Sequence, residues 1–169
     1  MENQLLSDIQ HFSRLIKDTK FAMFTTVDLS NGALYSRPMT LQQVEFDGDL
    51  WFFAGLSSDL VKQIEHNSRV NLAFSNIKVY SFISALGHAQ VVRGDKSKEQ
   101  ELWNPVYKTW FPEGLEDPNL CLIRVNIEGA EYWESPSSKI VRMFGFVKGM
   151  ITKDERALRQ HGHLNLNHH

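Results

Sequence analysis

Between residues 21 and 54 three runs rich in β-branched and aromatic residues, FAMFTTVD (21–28), LYSRPMTLQQVEF (34–46) and LWFFA (50–54), are set apart by the short turn signals SNG and DGD. Such runs suit a pleated, half-buried backbone, and turns this short let neighbouring strands pair only antiparallel. No other feature constrains the fold as much. The pattern resumes in RVNLAFS (69–75) and VYSFISALGHAQVV (79–92), where Ile83, Ala85, Ala89 and Val91 share one face. Cys121, Ile123, Val125 and Ile127 alternate next, and AEYWE (130–134) supplies a last strand. Pro38 cannot donate to a ladder, so the second strand is expected at an edge or a bulge.

Helical spacing interrupts the strands in three places. Leu5, Ile9, Phe12 and Ile16 recur with charged residues between them, which predicts an amphipathic helix over 3–18. SSDLVKQIEHN starts with serines suited to an N-cap and carries Leu60, Val61 and Ile64 on one side, so a short helix follows the third strand. Ser97 and Gln100 read as a capping box for a third helix. That helix is expected to continue into ELWNPVYKTWFPEG (101–114), with Trp103, Tyr107 and Trp110 as one stripe of core or interface. Six or seven strands with short turns and a few helices describe a small antiparallel barrel with helices at its ends.

A chain of 169 residues, 42% hydrophobic, has material for one good core. One domain is expected over residues 1–150, followed by a polar C-terminal tail, 151–169, that ends in HGHLNLNHH and is expected to be disordered or processed. The tail histidines have no scaffold, cysteine or carboxylate beside them, so no metal site is expected. Eighteen basic and twenty acidic residues are well mixed, which argues against a nucleic-acid partner. Glu2 and Asp8 stand where a signal peptide needs basic and then unbroken apolar residues, and no run reaches the roughly 20 apolar residues of a membrane span. A soluble, cytoplasmic chain without a membrane partner is expected, and its one cysteine, Cys121, is expected to be a core thiol.

The sequence contains no dinucleotide-binding glycine fingerprint, no P-loop, and none of H-E-x-x-H, C-x-x-C or G-x-S-x-G. His11, His66 and His88 are scattered, as structural histidines are. Two constellations remain. Arg37 on the second strand and the Ser57/Ser58 helix start would suit a phosphate monoester, because a guanidinium fork, hydroxyls and the free N–H groups of a first helical turn are all aimed donors. Phe52, Phe53, Trp103, Tyr107, Trp110, Phe111, Tyr132 and Trp133 supply flat apolar surface. Together they suggest a ligand with a phosphate at one end and a ring system at the other.

YSRPMTLQ, GDLWFFAGLSSDLVKQIEHNSRVNLAF, SALGHAQVV, KEQELWNPVYKTWFPEG and AEYWESP occur in that order. Over about residues 5–150 the chain thereby resembles the general stress protein branch of the pyridoxamine 5'-phosphate oxidase-like, FMN-binding split-barrel superfamily. The resemblance implies a six-stranded antiparallel split β-barrel and a homodimer. It also implies two FMN sites at the subunit interface, with residues drawn from both chains. It places Arg37, Met39 and Thr40 along the flavin and its phosphate, Phe53 and Ala54 as contacts of the next strand, and Ser57 and Ser58 as the phosphate turn. Phe82 falls where the superfamily has a contact from the other subunit, and Trp103 and Trp133 fall at ring-side positions.

Departures from the oxidase proper argue against pyridoxamine phosphate oxidation. Gln42 stands where the oxidase has a lysine, Asp59-Leu60 where it has Arg-Lys, and its substrate motif is not reproduced, although Arg142 lies nearby. Lys62 is the nearest cation in the helix and is expected to reach the phosphate only from a distance. The expected function is an FMN-binding redox protein with no assignable catalytic residue. A non-catalytic flavin-binding or sensing module, or a split barrel holding haem or a deazaflavin, are the alternatives.

Overall fold

The computed structural model describes residues 2–42, 46, 48–134 and 160–166. In chain order the elements are α1 (Glu2–Ile16), β1 (Phe21–Asp28), β2 (Ala33–Thr40), β3 (Asp49–Gly55), α2 (Asp59–His66), β4 (Arg69–Asn76), β5 (Ser81–Val92), α3 (Lys96–Leu102), two 3-10 turns (Pro105–Thr109 and Gly114–Glu116), β6 (Leu120–Glu134) and β7 (Gln160–Asn165). The sheet runs β2-β1-β4-β5-β6-β3, with β7 also paired to β6, and every pairing is antiparallel. The two ends of this order meet where the Gln42 N–H donates to the Trp51 carbonyl at 3.0 Å, so the sheet curls into a barrel that is only partly closed. β2 is the edge expected from Pro38, which sits opposite Met23.

Alternation places Phe24, Phe52, Phe74, Leu72, Ile123 and Val125 inside the barrel, and α1 plugs it with Phe12, Leu15 and Ile16. β5 bends at a bulge between Leu86 and Gly87. A Cβ at Gly87 would lie 2.2 Å from the Asn126 carbonyl oxygen, so that crossing requires glycine. A second, smaller core lies on the other side of β3 and β6. There Phe53, Phe111, Leu120 and Leu122 are covered by Trp103, Tyr107 and Leu115. The crowded rings of residues 101–114 build this outer layer.

Three expectations need correction. The helix before the ring-rich stretch is capped by Asp95, whose carboxylate accepts from the Lys98 N–H at 3.0 Å, and not by a Ser97–Gln100 box. An aspartate caps as well as a serine does, and Asp95 stands two residues earlier, where the helix starts. This helix ends at Leu102, because Pro105 holds Asn104 extended (φ −122°, ψ 132°), so Trp103, Tyr107 and Trp110 do not form one helical stripe. The C-terminal segment is no loose tail. Residues 160–165 pair with Gly129–Glu134, Leu164 and Leu166 are buried in the main core, and His161 stacks on Trp133 at 5.1 Å. A seventh strand thus joins the six expected, and the boundary placed at residue 150 lies outside the described residues. No helix among the described residues is long and apolar enough to cross a membrane.

Candidate functional site

The β3–α2 connection is where the sequence programs a turn with exposed donors. Ser58 is the N-cap of α2, with its hydroxyl oxygen accepting from the Val61 N–H at 3.3 Å. Asn119 fixes the preceding turn from outside: its side-chain oxygen accepts from the Ser57 N–H at 2.9 Å and its carbonyl from the Leu56 N–H at 2.7 Å. Beside this turn runs the edge strand β2, where Arg37 pairs with Phe24 and Met39 with Ala22. Directly opposed residues of an antiparallel pair share a face, so Arg37 and Met39 stand on the core side of an edge. Their ends open toward α2.

A groove of about 410 Å³ lies between β2, the end of β3, the start of α2 and the 3-10 segment, within the size range of small-molecule sites. Arg37, Met39, Thr40, Phe53, Ala54 and Ser58 all line it, joined by Gln42, Gly55, Tyr107, Trp110, Phe111 and Asn119. The groove thus joins a cation and a helix start to aromatic rings. Arg37 donates from Nη1 to the Thr26 hydroxyl at 3.0 Å and from Nη2 to the Gln63 amide oxygen at 3.1 Å. Tyr107 donates its hydroxyl to the Gln42 side-chain oxygen at 2.6 Å, which ties the 3-10 segment to the end of β2.

The other five candidate residues lie off this groove. Ser57 is exposed on the turn. Lys62 is exposed, pairs with Asp59 at 3.0 Å, and lines a separate polar cleft of about 490 Å³ beyond Arg37, with Asp28, Ser30, Tyr35 and His66. In that cleft, hydrogen bonds from the Ser30 side chain and backbone hold Asp28 below the usual carboxylate range. Trp103 packs edge-on behind Phe53 at 5.6 Å and against Tyr107 at 5.8 Å, inside the outer core. Phe82 and Trp133 are cross-strand partners on β5 and β6. Cys121 is fully buried, donates to the Ala54 carbonyl at 3.3 Å, and has its pKa pushed up to about 11 by burial.

Residues 7–157 match the family described as pyridoxamine 5'-phosphate oxidase like. The chain belongs to the pyridoxamine 5'-phosphate oxidase-like family. Protein bli-3 of Neurospora crassa is 30% identical over 159 residues, which span 89% of this chain and 74% of that protein. Among solved structures, the general stress FMN/FAD binding protein of Xanthomonas citri is 29% identical and superposes with a TM-score of 0.67 over 79% of this chain and 92% of that one. A protein of Jannaschia sp. CCS1 superposes more completely, with a TM-score of 0.76 over 94% and 99% of the two chains; at 19% identity it shows the fold alone.

The structure places the positions at which the sequence was read as departing from the oxidase proper. Gln42 is a groove residue that bonds Tyr107, and Leu60 lines the groove without charge while Asp59 turns to the polar cleft. Arg142 lies outside the described residues. Sequence reasoning passed over Tyr107, Trp110 and Phe111 as groove residues in favour of Trp103, and it missed Asn119. The ring-rich stretch signalled the first three. Asn119 carried no signal, since its partner Ser57 is distant in sequence.

Proposed function

We propose that this chain is an FMN-binding redox protein with the flavin seated in the groove between β2 and the start of α2. The observation that carries this reading is that one cavity joins Arg37 and the α2 N-terminus to an aromatic and apolar wall. Arg37, the Ser58 turn and the first-turn N–H groups would hold the phosphate. Met39, Thr40, Phe53, Ala54, Tyr107 and Trp110 would flank the ring system. Bound flavin supplies the electron-transfer chemistry, and the chain supplies orientation and electrostatics. The flavin-binding relative from Xanthomonas citri supports the ligand class.

The outer face of the sheet supports a homodimer. Phe21, Met23, Phe82 and Leu86 point outward from β1 and β5 and are 40–61% exposed, where a one-sided antiparallel sheet ordinarily turns polar residues to water. Phe82 and Trp133 would reach the partner's flavin from this face. A non-catalytic flavin-binding module is the second reading, because among the described residues the groove lining contains no carboxylate, histidine or thiol. The absorbance spectrum of the untreated protein and titration of the apoprotein with FMN and riboflavin test the binding. Stopped-flow mixing with NADH and NADPH separates redox turnover from storage. A colourless protein indifferent to the flavin phosphate would refute the reading.

A further inference from the structure

We propose that Thr26 and Gln63 form a charge-neutral clamp that positions Arg37 as the anion-binding cation of the groove. In doing so they set the preference for a phosphorylated over a dephosphorylated flavin. This inference rests on the flavin reading above. Three elements each contribute one member: β1 gives Thr26, β2 gives Arg37 and α2 gives Gln63. Thr26 is 1% exposed, and its hydroxyl donates to the Gln63 side-chain oxygen at 2.6 Å. The same hydroxyl oxygen accepts from Arg37 Nη1 at 3.0 Å, and the Gln63 oxygen accepts from Arg37 Nη2 at 3.1 Å. The three side chains close a triangle. Gln63 and Asp28 both line the polar cleft beyond Arg37.

The neutrality of both acceptors is the point. Several other described cations are tied to carboxylates, among them Lys62 to Asp59 at 3.0 Å, Arg124 to Asp49 at 3.0 Å and Arg14 to Glu134 at 3.4 Å. Among the described residues the hydrogen-bond partners of Arg37 are neutral, so its orientation is held without a direct ion pair. A guanidinium has five N–H donors, and the clamp engages two. The remainder serve a bidentate contact with phosphate. A carboxylate in place of Gln63 would hold the fork as well but cancel the field that an anion feels.

Apoprotein of the full chain, titrated with FMN and with riboflavin, tests this in wild type and in Gln63→Met, Gln63→Glu, Thr26→Val and Thr26→Ser. Gln63 is half-buried on a helix face, and valine is isosteric with threonine, so folding is retained; melting curves check it. Gln63→Met and Thr26→Val are expected to lower the FMN-to-riboflavin affinity ratio by about tenfold, the scale of one lost hydrogen bond to a charged group. Riboflavin affinity should stay unchanged. Gln63→Glu lowers the ratio further, and Thr26→Ser, which keeps the hydroxyl, restores it. Equal losses for both flavins would show a merely structural tie between α2 and the sheet and overturn the proposal. So would variants that keep the wild-type ratio, or a wild type that binds both flavins alike. A wild type that binds neither overturns the flavin site itself and the clamp's role with it.

Discussion

Arg37 and Lys62 are both cations near the start of α2, yet the fold treats them differently. Arg37 is half-buried, held by Thr26 and Gln63, and shared by the groove and the polar cleft, whereas Lys62 is exposed, already paired with Asp59, and faces the cleft alone. Arg37→Ala should weaken FMN binding by more than about tenfold, since an aimed charge-assisted contact is lost. Lys62→Ala should weaken it by less than about fivefold, as for an exposed ion pair. Flavin-fluorescence titration decides, and equal losses would mean that the principal cation has been misassigned. Cys121 allows a pH prediction. Burial raises its pKa from 9.0 to about 11, so the folded chain binds the thiol proton more tightly than the unfolded chain does. The associated stability is fully present below pH 9 and is lost as the pH rises toward 11. Urea unfolding at pH 8 and pH 10.5 should show a steeper decline for wild type than for Cys121→Ala, and the thiol should resist Ellman's reagent until the chain unfolds.

At the scale of elements, local signals were legible and distant ones were not. The Ser58 cap, the amphipathic α1 and the edge position of β2 each follow from a few adjacent residues: a hydroxyl before an apolar triplet, a 3.6-residue period, and a proline without a donor. Strand β7 could not be read this way. Its partner is the far half of β6, and the short, histidine-rich sequence reveals its apolar side only through Leu164 and Leu166, which fill a space made by other elements. Leu164→Ala should therefore cost about 2 to 4 kcal/mol by denaturant unfolding, where a loose tail would show no loss. The groove was partly legible for the same reason. Arg37, Ser58 and the ring of Phe53 follow from residue types on two strands and one turn, whereas Met39, Thr40 and Ala54 came only with the family resemblance. The break at Asn104–Pro105, however, rotates Tyr107 and Trp110 out of register with Trp103. The two tryptophans should consequently separate in experiment. Trp103 is wedged against Phe53 and Tyr107, so Trp103→Ala should destabilise the fold by about 2 kcal/mol or more. Trp110 is 66% exposed on the groove wall, so Trp110→Ala should change stability by no more than about 0.5 kcal/mol while weakening flavin binding.

For the molecule as a whole, the question is where one chain ends as a functional unit. The groove opens at the edge strand β2, yet two of the candidate flavin contacts, Phe82 and Trp133, are cross-strand neighbours on β5 and β6, beyond β1 and β4 in the sheet order. One chain does not bring them to its own groove. A second copy packed on the outer face of the sheet could, and that face carries the exposed Met23 and Leu86, with Met23 opposite Ala73 and Leu86 opposite Asn71. Aromatic and aliphatic anchors at the centre of such a patch dominate association energy. Met23→Glu combined with Leu86→Glu should convert a dimer into a 19.5 kDa species in sedimentation that keeps its folded circular dichroism spectrum, because both side chains point away from the core. If the flavin site spans two chains, the same double substitution must also weaken FMN binding, although neither residue lines the groove. A monomeric variant with wild-type FMN affinity would show that the groove of one chain is complete, and that Phe82 and Trp133 serve association alone.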